Sequence, residues 1–181
     1  MSAEEATRVL QEADLIHSEQ NVAAALQRLA VEITERLADQ HPLVLAVMGG
    51  AVVFSGQLLP RLKFPLDFDY IHVSRYGRST SGGALRWVAP PKENVAGRVV
   101  LVLDDILDEG VTLAAIRERV MELGAQECLA AVFTDKAIDK PKASHADFVG
   151  LQLPNRYVFG FGMDVKGKWR NLPAIYALAG H

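Results

Sequence analysis

The chain has 181 residues, of which 50% are hydrophobic and 23% are charged, and its formal net charge is −3. This length and composition predict a single globular domain over residues 1–181, and the net charge gives no support for a nucleic-acid partner bound by bulk electrostatics. One cysteine cannot form an internal disulfide, no apolar run reaches the roughly 18 residues of a membrane span, and the acidic, polar N-terminus does not resemble a signal peptide. A cytoplasmic protein with no membrane partner is therefore expected.

The first part of the chain predicts three helices and a strand. Apolar residues recur at helical spacing over residues 3–16 and again over residues 22–37, where Ser18 is expected to cap the second helix. Residues 43–47, LVLAV, predict a buried strand, and an apolar helix is expected from about residue 52 to residue 62.

Two glycines, Gly49 and Gly50, separate that strand from the third helix. A glycine turn before a helix leaves backbone N–H groups free to bind an anion, although glycines needed only for a tight turn explain the pattern equally well. Residues 66–73 then predict a strand. Residues 74–85 are rich in Ser, Gly, Thr and Arg and lack apolar periodicity, which indicates either a lid or an ordinary surface loop.

The strongest signal is the stretch 99–112, which reads VVLVLDDILDEGVT. Its opening apolar residues predict a strand buried on both faces, and two acidic pairs and a glycine turn follow. The polar and turn residues are Asp104, Asp105, Asp108, Glu109, Gly110 and Thr112. Thr112 is expected to cap a helix that ends near Gly124.

This pattern favours a phosphate ligand that also carries other groups. A glycine turn entering a helix offers free N–H groups and the positive end of the helix dipole. The neighbouring carboxylates would repel phosphate unless the ligand also carries hydroxyls or Mg²⁺, so a sugar phosphate with Mg²⁺ meets both demands. An ordinary loop with solvated acids is the alternative. The Lys-Ser/Thr ending of a Walker A loop and the G-x-G-x-x-G of a dinucleotide site are both missing from the sequence.

The rest of the chain predicts further strands at residues 128–133, 148–153 and 157–161, followed by a short apolar tail. The cysteine, Cys128, falls in the first of them. Because strands alternate with helices through the middle of the chain, the fold class is predicted to be α/β, with a mostly parallel central sheet flanked by helices. Ligands of such sheets bind beyond the carboxyl ends of the strands, where both glycine turns and the acidic pairs fall.

The 99–112 stretch resembles the phosphoribosyl-pyrophosphate (PRPP) motif of type I phosphoribosyltransferases, in which an apolar strand precedes two acids, two apolar residues and a D-x-G-x-T loop. The C-terminal third resembles the purine-binding region of hypoxanthine-guanine phosphoribosyltransferases. The segments that carry this resemblance are DFVG at 147–150, LPNRYV at 153–158, GFGMD at 160–164 and WRNL at 169–172, with the Gly-Gly turn and VSRY at 73–76.

The resemblance implies the type I phosphoribosyltransferase fold, with a flexible lid loop and a small hood built from terminal segments. It also implies a purine salvage enzyme that transfers the 5-phosphoribosyl group from PRPP to N9 of hypoxanthine or guanine, giving IMP or GMP and pyrophosphate. Mg²⁺ would be the cofactor, and a homodimer or homotetramer the assembly. The alternatives are a xanthine-preferring enzyme and a non-catalytic, PRPP-sensing regulator that binds nucleic acid. The intact purine segment and the absence of a strong basic patch argue against the regulator.

Residue roles on the PRPP side follow from the same resemblance. Asp104 and Asp105 would hold the ribose hydroxyls, partly through Mg²⁺, and Asp104 departs mildly from the Glu that is often first in the family. Asp108 would act as general base at purine N7, or stabilise the proton there. The 5-phosphate would be cradled by Asp108, Glu109, Gly110, Val111 and Thr112.

The pyrophosphate would be bound by a turn at Met48 and Gly49, which often contains a non-proline cis peptide in this family, and by Arg170. Some members carry Lys where this chain has Met48. Asp164 would lie at the purine site and hold a second Mg²⁺ at the pyrophosphate.

The purine itself would be recognised by three residues. Lys136 would donate to the 6-oxygen, Tyr157 would stack on the ring, and Val158 would contact the 2-position edge through its backbone. Arg75 and Tyr76 would lie in the lid that closes over the reaction.

Overall fold

The computed structural model describes residues 1–75 and 85–180. Their helices are α1 (Ala3–Glu12), α2 (Glu19–Leu37), α3 (Val52–Leu58) and α4 (Val111–Glu122), with a 3-10 turn at Leu59–Arg61. Their strands are β1 (Asp14–His17), β2 (Leu43–Met48), β3 (Asp67–Arg75), β4 (Leu85–Ala89), β5 (Val99–Leu107), β6 (Glu127–Lys136), β7 (Phe148–Leu153), β8 (Val158–Phe159) and β9 (Ile175–Ala177). Within these residues no helix has the length and apolar character needed to cross a membrane.

The central sheet contains six strands in the order β4-β3-β2-β5-β6-β7. All neighbouring pairs are parallel except β3 and β4, which are antiparallel at one edge. The prediction of an α/β fold with a mostly parallel sheet is therefore confirmed. β3 lies beside β2 on one half of the sheet, and β6 and β7 follow β5 on the other half. The sheet thus has a topological switch point between β2 and β5, the place where such folds bind ligands.

The core explains why β5 reads as a continuous apolar run. Val99, Leu101 and Leu103 pack with α2 and α3 in one buried cluster. Val100 and Val102 face the opposite cluster, which includes the apolar residues of α4. A strand covered on both faces has no solvent side, so apolar residues fill every position instead of alternating with polar ones.

Segments near the two ends of the chain form a separate sheet in the order β1-β9-β8. Asp14 pairs with Ala177, and Ala177 pairs with Val158 on its other side. The predicted helix over residues 3–16 is therefore wrong after Glu12, because residues 14–17 pair with a strand from the other end of the chain. That this small sheet acts as a hood over a ligand stays a prediction.

Other predicted boundaries also change in the structure. The helix expected over residues 52–62 ends at Leu58 and tightens into the 3-10 turn, because Pro60 has no N–H to continue it. The strand expected over residues 157–161 is limited to the two residues of β8, and β4 was not predicted. Ser18 does cap α2, in a reciprocal capping box with Asn21.

The long segment predicted over residues 74–85 is shorter than expected. β3 continues to Arg75, and β4 begins at Leu85. The remaining residues, 76–84, lie outside the described part of the chain, so the lid stays a prediction.

Candidate functional site

The acidic stretch begins inside a strand rather than after it. β5 continues to Leu107, so Asp104 and Asp105 are strand residues at the carboxyl end of the sheet. Asp108 and Glu109 form the loop that follows, and α4 begins at Val111. The first predicted acidic pair is therefore held at the end of a strand, and the second lies in the loop that follows it.

Gly110, not Thr112, occupies the N-cap position of α4. Its φ of +78° lies in the left-handed region, and the helix has no side-chain cap. A β-carbon at Gly110 would also overlap the backbone of Ser144, so both conformation and space require glycine here. The prediction of a Thr112 cap is wrong, and in the described part of the chain no side chain caps the start of α4.

Asp104 and Asp105 form a closely spaced carboxylate pair in the cleft wall. The Asp105 N–H donates to Asp104 Oδ1 at 3.0 Å, and the Ile106 N–H donates to Asp105 Oδ1 at 2.9 Å. Burial, and then the charge of Asp105, raise the pKa of Asp104 well above its usual value. Burial also raises the pKa of Asp105, although hydrogen bonds oppose it. Both ionised groups therefore favour a ligand that brings positive charge or hydroxyl donors.

The glycine turn after β2 lies directly against this pair. The Met48–Gly49 peptide is cis, as the family resemblance led us to expect. A β-carbon at Gly50 would overlap the carboxylate of Asp105, and a β-carbon at Gly162, whose φ is +101°, would overlap the carbonyl of Gly50. The segments that contain Gly50, Asp105 and Gly162 thus pack so closely that only glycine fits at positions 50 and 162.

Asp164 and Arg170 also line the cleft. Arg170 Nη2 lies 2.6 Å from Asp164 Oδ1, and Nη1 donates to the carbonyl of Gly162 at 2.6 Å. The second carboxylate oxygen of Asp164 accepts from the Gly167 N–H at 2.6 Å. The guanidinium is therefore held beside the glycine turn, with its remaining donors available to an anion.

These groups enclose a cleft of about 330 Å³. The predicted site residues in its wall are Met48, Asp104, Asp105, Asp108, Glu109, Gly110, Thr112, Asp164 and Arg170. Gly49 and Val111 are chain neighbours of wall residues and are not part of the wall itself. The residues predicted for ribose, 5-phosphate and pyrophosphate therefore converge on one space.

A second cleft of about 200 Å³ adjoins the first. It contains the predicted purine residues Lys136, Tyr157, Val158 and Asp164, and it shares Asp105, Ile106, Asp108 and Asp164 with the larger cleft. The two clefts are thus joined along the end of β5.

The polar groups of this second cleft are fixed by their neighbours. Lys136 Nζ lies 3.5 Å from Asp108 Oδ2. The Tyr157 hydroxyl donates to the carbonyl of Asp164 at 3.3 Å, while 49% of the residue stays exposed. Burial and the nearby Asp164 raise the pKa of Tyr157, so its hydroxyl stays protonated. A half-exposed aromatic ring beside a lysine and a carboxylate suits a flat, polar-edged ligand.

Sequence reasoning missed several residues that build the site. Ile106 lines both clefts, and Met163 lines the smaller one. Thr134 is fully buried and donates to the carbonyl of Asp105 at 2.8 Å, so it fixes the strand end that carries the acids. Gly162 was part of a recognised segment without a role of its own, and its flanking G-F-G pattern was the available signal.

The lid role expected for Arg75 and Tyr76 stays a prediction. Arg75 is the last residue of β3, and Tyr76 lies outside the described residues. In the described part of the chain, no group of three or more His, Cys, Asp or Glu side chains is arranged to hold a metal ion by itself. Such an arrangement is not required for Mg²⁺, which usually keeps several waters and binds one or two carboxylates together with ligand phosphates.

Comparison with known proteins defines the class. A family model described as the phosphoribosyl transferase domain matches residues 12–166. The chain belongs to this phosphoribosyltransferase family, and both the family and the fold expected from the sequence are confirmed.

More specific similarities lie within one branch of that family. The chain is 33% identical over 162 residues to the hypoxanthine-guanine phosphoribosyltransferase of Bacillus subtilis (strain 168), a match covering 89% of this chain and 90% of the relative. It is 35% identical over 163 residues to the hypoxanthine-guanine-xanthine phosphoribosyltransferase of Tritrichomonas foetus, covering 89% and 88%. A solved hypoxanthine-guanine-xanthine phosphoribosyltransferase superposes with a TM-score of 0.83 at 32% identity, covering 93% of this chain and 98% of the other.

Proposed function

We propose that this protein transfers the 5-phosphoribosyl group of PRPP to N9 of hypoxanthine or guanine, releasing pyrophosphate. The observation that carries the proposal is the junction of the two clefts, where Asp105, Asp108 and Asp164 belong to both walls. A ribose bound in the larger cleft and a base in the smaller one would meet at this junction. The family membership and the named relatives support the same reaction.

The larger cleft supports binding of PRPP. The N–H groups at the start of α4 and the Thr112 hydroxyl favour the 5-phosphate. The glycine turn at Gly49 and the guanidinium of Arg170 favour the pyrophosphate at the other end of the cleft, because both present donors there. Met48 supplies no charge, so Arg170 provides the fixed positive charge of this wall.

The donor set also fits Mg²⁺. Asp104 and Asp105 are paired carboxylates whose pKa values are raised mainly by burial, and Asp164 is a third carboxylate in the wall of the same cleft. Asp104 and Asp105 would hold one ion or its waters, and Asp164 would hold a second at the pyrophosphate. When bound, Mg²⁺ neutralises charge on the pyrophosphate leaving group.

The smaller cleft supports a 6-oxopurine. Tyr157 stacks on the ring, and the backbone of Val158 reads the 2-position edge. Lys136 donates to the 6-oxygen and lies close enough to Asp108 for both to act on one base. Adenine is disfavoured, because its 6-amino group cannot accept that proton and would leave a nearly buried ammonium without its ligand partner.

The chemical step follows from this arrangement. The bond from ribose C1 to the pyrophosphate oxygen breaks as the bond from C1 to N9 forms, through a state with oxocarbenium character. Asp108 takes the proton that the base loses at N7, and Arg170 stabilises the negative charge that develops on pyrophosphate. The lid predicted at Arg75 and Tyr76 would exclude water, which otherwise competes with the base for C1.

Xanthine is a second candidate base, because a curated relative and a solved structure both carry xanthine in their names. Xanthine differs from hypoxanthine by a 2-oxo group, which would lie against the backbone of Val158. We also expect self-association as a homodimer or homotetramer.

The direct test offers hypoxanthine, guanine, xanthine and adenine separately, with PRPP and Mg²⁺, and follows nucleotide formation by ultraviolet absorbance. We expect turnover of hypoxanthine, guanine or both, with adenine inert. Turnover of xanthine alone would move the assignment to the xanthine-preferring enzyme. Absence of turnover with every base, together with retained PRPP binding, would overturn the proposal and favour the PRPP-sensing regulator, which a nucleic-acid gel shift would then test.

A further inference from the structure

Lys142 belongs to the loop between β6 and β7 and is not part of either cleft wall. Its side chain is only 11% exposed. The ammonium group donates to the carbonyl of Leu107 at 2.9 Å and to a carboxylate oxygen of Asp135. A lysine this far withdrawn from water must satisfy its charge internally, and these two acceptors do so.

The two acceptors stand side by side at the ends of neighbouring strands. Leu107 of β5 is the register partner of Asp135 of β6, and Asp135 is in turn the partner of Gln152 of β7. The Gln152 amide donates to the other carboxylate oxygen of Asp135 at 3.4 Å. Lys142, Asp135 and Gln152 therefore form a hydrogen-bonded row across the carboxyl ends of three parallel strands.

The residue that follows each of the partners Leu107 and Asp135 belongs to the proposed base site. Asp108 follows Leu107, and Lys136 follows Asp135. A change in the distance between Leu107 and Asp135 would therefore also change the distance between Asp108 and Lys136, the pair proposed to act on the base.

The loop that carries Lys142 also braces the phosphate loop. The Ala143 N–H donates to the carbonyl of Glu109 at 2.9 Å, and the backbone of Ser144 fills the space beside Gly110. Lys142 is thus anchored next to two backbone contacts with the same loop, so its position is set independently of any ligand.

We propose that Lys142, through Asp135 and the Leu107 carbonyl, is a positioning residue that fixes the distance between Asp108 and Lys136 for binding and reaction of the base. The inference rests on the proposed function for its substrate. Without the ammonium group, the Leu107 carbonyl and the Asp135 carboxylate lose their shared donor in a poorly hydrated place, and the two strand ends separate or rotate. Small displacements of a reacting pair are costly, because catalysis requires near-contact geometry.

The test compares Lys142→Met, Asp135→Asn and the double variant with wild type. Methionine keeps most of the lysine volume and removes the charge. The matched control is Arg36→Met, which removes an ion pair of 2.7 Å to Glu127 at the opposite end of the same strand β6. Asp135→Asn keeps the test valid if Lys142→Met alone fails to fold.

We expect Lys142→Met to lower kcat/KM for the base about 10- to 100-fold, the range known for misplaced reacting groups, with a raised KM for the base. The KM for PRPP should stay within about threefold of wild type, and Arg36→Met should leave both constants unchanged. The double variant should be no worse than the single ones, because the two side chains act as a unit. A purely structural role would lower the active fraction and hence kcat, leaving the KM for the base as in wild type, and that result overturns the proposal.

Amide hydrogen exchange provides a readout that does not depend on activity. Residues 107–109 and 135–137 should exchange faster in Lys142→Met than in Arg36→Met. Equal exchange in the two variants would overturn the positioning role. If wild type turned over none of the bases, the proposed function would fail, while the exchange comparison would still decide whether Lys142 holds these strand ends.

Discussion

The ammonium nitrogen of Lys136 lies 3.5 Å from a carboxylate oxygen of Asp108, across the ends of two neighbouring parallel strands. The lysine side chain is 16% exposed, whereas that of Asp108 is 50% exposed. Both side chains line the smaller cleft, and Asp108 also lines the larger one. This pair lies where the two clefts join, and its two members support separate predictions.

Replacing Asp108 by Asn should lower kcat about 10²- to 10⁴-fold, the usual contribution of a positioned acid–base group. The amide has nearly the shape of the carboxylate and cannot take the N7 proton, so circular dichroism and Tm should change little. Steady-state assays with saturating PRPP measure the effect.

Asp39→Asn is the matched control for that variant, because Asp39 is an exposed carboxylate just after the end of α2. It should have wild-type kcat. An Asp108→Asn enzyme within about threefold of wild type would remove Asp108 from the acid–base role.

Replacing Lys136 by Met should weaken recognition of the 6-oxo group. A hydrogen bond to a charged donor contributes about 1.5–3 kcal/mol, so the KM for hypoxanthine should rise roughly 10- to 100-fold. The KM for PRPP should change much less. Initial rates at varied base and fixed PRPP measure this split, and equal increases in both KM values would contradict a role specific to the base.

Two glycine-to-alanine changes test whether the site needs glycine at position 50, with a glycine of helix α3 as the control. Gly50→Ala places a methyl group on the Asp105 carboxylate, so it should displace the acid pair and lower kcat/KM for PRPP by at least about tenfold. Gly56→Ala adds a methyl group in α3, where nothing lies within 4 Å. It should keep full activity and stabilise the protein by up to about 1 kcal/mol, because alanine favours a helix over glycine.

Thermal unfolding and PRPP kinetics on both variants distinguish the two effects. Full activity in Gly50→Ala would show that Asp105 tolerates displacement and is not held by the glycine turn.

Asp104→Asn should stabilise the ligand-free protein in a pH-dependent way. Burial, and then the charge of Asp105, raise the pKa of Asp104 well above 3.8 in the folded state. Folding therefore favours the protonated carboxyl, and the cost of ionising it grows as pH rises from 3.8 through the raised pKa. Asparagine avoids that cost, so its gain in Tm should be present at about pH 7.5 and nearly absent at about pH 4. A gain of equal size at both pH values would mean that packing, not ionisation, causes it.

Much of the site could be predicted because its signals are local in sequence. The apolar run of β5, the two acidic pairs and the glycine before α4 lie within 14 residues, the stretch 99–112. Strand burial, carboxylate chemistry and the free N–H groups of a helix start each depend on residue types at short spacing. The purine residues, in contrast, were assigned through the family resemblance, since a lone Lys136 or Tyr157 has no local pattern of its own.

Some helix boundaries and caps predicted from the local sequence were wrong. Thr112 has the right side chain for a cap, yet α4 begins at Val111 and Gly110 takes the cap position. There, Ser144 from another loop leaves no space for a side chain. Residues 14–16 were predicted to end a helix, and they belong to strand β1 instead, because their pairing partners in β9 lie at the other end of the chain.

The sequence by itself determined the family, the mostly parallel α/β sheet and the acidic motif at the carboxyl end of its strand β5. Only the tertiary structure decided which groups touch: Gly50 against Asp105, Arg170 against Asp164, and Lys142 between the ends of β5 and β6. Helical and strand periodicities report contacts a few residues apart. These contacts join segments that are distant in the chain, and their distances are set by how the strands register and the loops pack.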